Sequence, residues 1–92
     1  MEDKFLVYKS NDNSNYDTLI WSKKDIKNAT LQQSIKVISN YAFFCCIHLT
    51  QIIIPSSVKS IGCNALNKCS KLTYILIPSS VESFGDRAFS SC

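Results

Sequence analysis

Three cysteines, Cys46, Cys69 and Cys92, recur at intervals of 23 residues. Thiolates are nucleophiles and metal ligands, so this spacing raises a metal centre, a catalytic thiol or a disulfide ladder. A structural zinc site needs a second ligand pair. The stretch Cys45-Cys46-Ile47-His48 supplies two adjacent thiols and the only imidazole of the chain. A thiolate–imidazole pair also needs an orienting third group, and neither an oxyanion cradle nor a Gly-rich loop accompanies these residues. The reading is therefore that no residue is catalytic, that no metal is held and that no cofactor is bound. The segment NDNSNYD at 11–17 alternates asparagines as a calcium loop does. However, Tyr16 stands where that loop needs glycine and Ser22 where it closes with glutamate. It reads as a solvated hairpin loop. Asn28-Ala29-Thr30 forms an N-glycosylation sequon, which matters only on a secreted chain.

What positions these residues is an internal repeat. IPSSV stands at 54–58 and again at 77–81. Aligning 49–69 with 72–92 gives LTQIIIPSSVKSIGCNALNKC over LTYILIPSSVESFGDRAFSSC, with 12 of 21 positions identical. A weaker copy precedes them, with Ile26, Ala29, Leu31, Ile35, Ile38, Ala42, Phe43 and Cys46 in register; Gln32 replaces the proline and Ser39 the glycine. The division expected is a cap over 1–25 and three repeats at 26–48, 49–71 and 72–92.

A period in the range of about 20–29 residues marks a solenoid of the leucine-rich-repeat type. Each coil reads as a strand, a proline-stopped turn, a short extended piece and a single helical turn. Ile75 and Ile77 share one strand face, and Pro78 ends the ladder because it lacks an N–H. Gly85 is expected to supply a backbone angle that residues with a Cβ avoid. Ala88, Phe89 and Cys92 fall at the spacings of a helical stripe. The fold class is thus an α/β repeat solenoid with a parallel strand ladder, single-turn helices and an N-terminal β-hairpin cap made by KFLVY and TLIW. In that cap Phe5 and Trp21 are expected to cover the first coil. Truncating an inward residue such as Ile75 to alanine should cost about 2–5 kcal/mol.

This frame decides the cysteines. The count of five is odd and no secretory signal precedes them. On a wide helical side, successive coils are expected to lie too far apart for a disulfide, which needs Cα atoms within about 7 Å. Cys46, Cys69 and Cys92 then read as buried thiols filling the coil interior, with Cys45 and Cys63 off that register and more exposed.

The pattern L-T-x-I-x-I-P-S-S-V-x-S-I-G-x-x-A-L/F-x-x-C resembles the BspA-type, or Treponema pallidum-type, leucine-rich repeat over residues 26–92. The LIW segment is similar to the partial strand that precedes such arrays. The resemblance implies a surface or secreted protein that adheres to host, matrix or microbial surface proteins, with no shared catalytic motif. No signal peptide and no apolar run of membrane-spanning length is visible. The rival expectations are an intracellular scaffold and a purely structural segment of a longer array. The last coil, without a polar capping repeat, is open to self-association.

Charge excludes one further class. Net charge is +3 and Arg87 is the only arginine, while the lysines are scattered. Nucleic-acid surfaces concentrate such charge on one face, so a protein partner is the expectation. The outward ladder face is the candidate contact surface. Asn28, Gln51 and Tyr74 form one row and Thr30, Ile53 and Leu76 the next. Ile53, Tyr74 and Leu76 would make an apolar stripe typical of an interface core. The same stripe could instead serve cross-strand packing with no ligand.

Overall fold

The computed structural model describes residues 5–9 and 16–90, with side chains from residue 18 onward. Strands β1 (Phe5–Lys9) and β2 (Tyr16–Ser22) form an antiparallel pair at the start of the chain. Each following coil contributes two short strands. These are β3 (Asn28–Thr30) and β4 (Val37–Ile38), β5 (Gln51–Ile53) and β6 (Ser60–Ile61), and β7 (Tyr74–Leu76) and β8 (Ser83–Phe84). Stacking places β3-β5-β7 in one parallel sheet and β1-β2-β4-β6-β8 in the other. The strand ladder expected from the repeat is the first of these. The short extended piece of each coil builds the second.

Burial alternates as the period-2 pattern demands. Ala29 and Ile52 turn inward at 1% and 0% exposure, while their neighbours in the strand face out. The core runs as one column through the first two coils, where Ile26, Leu31, Ile35, Ile38, Leu49, Ile54, Val58 and Ile61 are all buried, and Leu72, Ile75, Val81 and Phe89 of the last coil pack against it partly buried. No coil could bury this stripe alone, and each buried Ile or Leu contributes roughly 1.5–3 kcal/mol.

IPSSV is the corner between the two ladders. Val58 N–H donates to Pro55 O at 3.1 Å and Val81 N–H to Pro78 O at 3.3 Å, closing the turn. The second serine then reaches back one coil. Ser57 Oγ donates to Ile35 O at 2.6 Å and Ser80 Oγ to Val58 O at 3.0 Å.

The third side of each coil differs from the expected helical turn, since no helix is present among the described residues. Three-residue steps such as Ala42 N–H to Ser39 O and Cys46 N–H to Phe43 O, both 3.2 Å, make successive tight turns. Between them the donors point across the stack. Tyr41, Phe43 and Cys45 donate to Cys63, Ala65 and Asn67 at 3.0, 2.7 and 2.9 Å. The next coil repeats this from Asn64, Leu66 and Lys68 to Asp86, Ala88 and Ser90. A helix uses its N–H groups along its own axis; here alternate ones are used between coils. Non-glycine residues at positive φ turn the chain, with Tyr41 at 63°, Cys45 at 60°, Asn64 at 57°, Lys68 at 67° and Arg87 at 58°.

The glycines act otherwise than expected. Neither has a positive φ. A Cβ on Gly62 would stand 2.5 Å from Asn40 N and 2.8 Å from Ser39 C, and one on Gly85 would stand 2.6 Å from Cys63 Cα. The missing side chain lets the backbones of adjacent coils touch. Ser39 can replace glycine in the first coil because its neighbour is β2, whose Leu19 O accepts the Ser39 N–H at 2.9 Å. That strand runs straight on to Ser22 instead of turning beneath it.

The hairpin joins the second ladder edge-on, with Thr18 opposite Val37 and Leu19 opposite Ile38. Leu19 is 1% exposed and Ser22 0%. Trp21, expected to cover the first coil, is 43% exposed, and Lys24 Nζ lies 5.9 Å from its ring centroid. A register shift passes over Ile20, since consecutive Leu6 and Val7 pair with Trp21 and Leu19; past it the alternation is broken, and Leu19 and Ser22 turn inward while Trp21 faces out. The Phe5 side chain lies outside the described residues, as do the loop residues 11–15 and Cys92.

Candidate functional site

The six ladder residues come together. Asn28, Gln51 and Tyr74 are direct cross-strand partners, and so are Thr30, Ile53 and Leu76. A threonine before each later strand fixes their height. Thr50 Oγ1 donates to Lys27 O at 3.0 Å and Thr73 Oγ1 to Thr50 O at 3.2 Å. Polarity falls along the stack, while exposure is lowest in the middle coil. Asn28 and Thr30 are exposed and polar, Gln51 and Ile53 half-buried, and Tyr74 and Leu76 exposed at 50% and 49%. The face carries no charge among its six members and ends in an aromatic ring beside an aliphatic chain. Such a surface can exclude water from an apolar partner while offering amide hydrogen bonds. The sequon places both Asn28 and Thr30 on this exposed surface.

The cysteines divide as their register implies. Cys46 and Cys69 are fully buried, while Cys45 and Cys63 are half-buried; none of the four is in a disulfide. Cys69 Sγ donates to Phe43 O at 3.2 Å, and Cys46 Sγ lies 3.8 Å from Lys23 O. The Cys46 pKa is lowered from 9.0 to about 7, most by the neighbouring Cys69 thiol; the Lys24 ammonium and the Ser22 hydroxyl act in the same direction and burial opposes them. His48 is exposed two residues away. Among the described residues no group of three or more His, Cys, Asp or Glu side chains is placed to hold a metal ion.

Two features escaped the sequence reading. The first is an aromatic–lysine cluster on the turn side. Tyr41 packs edge-on against Phe44 at 5.2 Å, Lys68 Nζ stands 6.0 Å from the Phe44 ring centroid, and Lys24 Nζ donates to Phe44 O at 2.7 Å. Lys24 and Lys68 are 44 positions apart, so scattered lysines in sequence meet on one surface. The repeat period was the signal for it, because the positions of Cys45 and Lys68 coincide in adjacent coils. The second is an open groove of about 460 Å³ along the outer face of the second ladder, lined by Val37, Ser60, Ser83, Gly62 and Gly85. It follows from the small side chains that close coil stacking requires. No helix among the described residues is long and apolar enough to cross a membrane.

A family model described as a BspA type leucine-rich repeat region (6 copies) matches residues 15–92, from the end of the hairpin loop onward. Among solved structures, a leucine-rich repeat protein from Bacteroides ovatus ATCC 8483 is similar over 100% of this chain, with a TM-score of 0.82 and 27% identity. This chain spans 27% of that one. No curated protein matches.

Proposed function

Since the chain belongs to the BspA-type leucine-rich repeat family, we propose that it is a protein-interaction module that adheres through the outward face of β3-β5-β7. On this reading residues 26–92 are the binding array and residues 1–25 its cap. The contact residues are Asn28, Thr30, Gln51, Ile53, Tyr74 and Leu76, and the partner is a host, matrix or microbial surface protein. Adhesion implies display at a cell surface or secretion. The single observation that supports the reading is the exposed Tyr74–Leu76 pair, at 50% and 49%, on an uncharged ladder face. Tyrosine is among the residue types enriched where a few side chains carry most of the binding energy of a protein interface.

A second reading is favoured by the last coil, in which the chain is an internal or scaffolding segment of an array. Ile77 and Phe84 are 37% and 50% exposed, whereas their counterparts Ile54 and Ile61 are 2% and 1%. That apolar surface would take a further coil or a second copy of the chain.

One experiment separates them. The full chain is immobilised and probed with matrix proteins and host-cell surface extracts, beside a Tyr74→Ala/Leu76→Ser variant whose circular dichroism and melting are checked. Adhesion through the ladder face requires binding by the unaltered chain and at least a tenfold loss in the variant. Unchanged affinity removes the ladder face. No binding, with a dimer or larger species in light scattering, supports the array segment.

A further inference from the structure

We propose that Cys46 and Cys69 are a redox pair, closing to an intramolecular disulfide that staples the first coil to the second when hydrogen peroxide reaches them. The proposal is independent of the ladder-face reading. It rests on a correction to the geometry expected of a helical side. The turn side is not wide: Phe43 N–H meets Ala65 O at 2.7 Å and Cys45 N–H meets Asn67 O at 2.9 Å, immediately before the two cysteines. Equivalent residues of adjacent coils are direct Cα partners in both ladders. Chains paired in this way lie about 4.8 Å apart, inside the roughly 4.4–6.8 Å Cα separation that disulfides use. Both side chains turn into the same buried column, at 0% exposure, and the Cys69 thiol reaches back into the first coil, to Phe43 O at 3.2 Å.

The surroundings divide the roles. The neighbouring Cys69 thiol, the Lys24 ammonium and the Ser22 hydroxyl favour the Cys46 thiolate against burial, lowering its pKa to about 7. Cys69 lies one coil further on, its thiol beside Phe43 O at 3.2 Å. Cys46 is thus the attacking sulfur and Cys69 the resolving one. The Cys46 thiolate attacks one peroxide oxygen; an S–O bond forms, the O–O bond breaks, and the departing hydroxide takes up a proton as water. The Cys69 sulfur then attacks the Cys46 sulfenic acid. The S–S bond forms, the S–O bond breaks, and the hydroxyl leaves with the Cys69 proton as a second water. Two thiols give two electrons to one peroxide.

The half-buried Cys45 and Cys63 are the competitors, and the test is built to expose them. The reduced full chain is treated with stoichiometric hydrogen peroxide, remaining thiols are capped with N-ethylmaleimide after denaturation, and a tryptic digest is read by mass spectrometry. The expected product links peptide 37–59 to peptide 69–71. It persists in Cys45→Ala, where Cys46 is the sole thiol of 37–59, so the assignment does not depend on whether Cys46→Ala folds. Its rate of formation rises with pH through about 7 as the Cys46 thiolate forms. A linkage through Cys45 or Cys63, or Cys46 and Cys69 both recovered as maleimide adducts, overturns the proposal.

Discussion

The two ends of the stack are built from the same residue types and meet different fates. In the first coil Leu31, Ile35 and Ile38 are 5%, 1% and 0% exposed. In the last coil the matching Ile77 and Phe84 are 37% and 50% exposed, and Val81 is only partly buried. The difference is one strand. β2 lies on β4 and presents Leu19 to the first coil, whereas no described element lies beyond β7 and β8. In a solenoid, then, an apolar residue is stabilising only as far as its neighbouring coil covers it.

This contrast is broken most sharply by truncating the same repeat position in two coils. Ile52 and Ile75 are cross-strand partners, yet Ile52 is 0% exposed and Ile75 only partly buried. Ile52→Ala should lose about 2–5 kcal/mol, because the emptied space is walled on both sides. Ile75→Ala should lose less than half of that, a downward revision of the value expected from the repeat alone. Urea unfolding of both variants measures it. Equal losses would mean that the last coil is covered in solution.

The next effect concerns backbone approach. Gly62→Ala should destabilise by about 1–3 kcal/mol, since the new methyl would meet Asn40 N and Ser39 C at 2.5 and 2.8 Å. Ser39→Ala, at the same repeat position over β2, should change stability by no more than about 0.5 kcal/mol. Thermal melts of the pair measure the difference. A tolerated Gly62→Ala would mean that the coils slide apart at little expense.

The architecture was legible because the core repeats. Ile52, Ile54, Val58 and Ile61 return as Ile75, Ile77, Val81 and Phe84, and such a column has one efficient packing. The cross-strand rows of the candidate site followed from the same register. What stayed hidden was set between coils. The spacing of Ala65, Leu66 and Cys69 mimics a helical stripe, but alternate N–H groups are drawn off to the next coil, and no residue identity records that. Gly62 and Gly85 read as conformational devices, while their use is proximity. Trp21 is the larger side chain, but the irregularity at Ile20 in β2 gave the inward places to Leu19 and Ser22. The Phe44 cluster could be found only through the repeat period, because Lys24 and Lys68 come to Phe44 only once the coils are stacked.

The smallest effect, and the finest probe of the two ends, is at the left-handed residues. Tyr41 and Arg87 occupy one repeat position at φ of 63° and 58°. For a residue with a Cβ this conformation costs roughly 1–2 kcal/mol, and glycine is free of most of it. At Arg87, which is exposed, glycine should raise stability by about 0.5–1 kcal/mol, after the extra unfolded-state freedom of glycine is subtracted. At Tyr41 the same change also removes the edge-on contact with Phe44 at 5.2 Å, worth about 0.5–1.5 kcal/mol. Tyr41→Gly should therefore be neutral or destabilising. Melting of the two variants side by side decides it, and a gain at Tyr41 as large as at Arg87 would show that the Phe44 cluster adds nothing to the first coil.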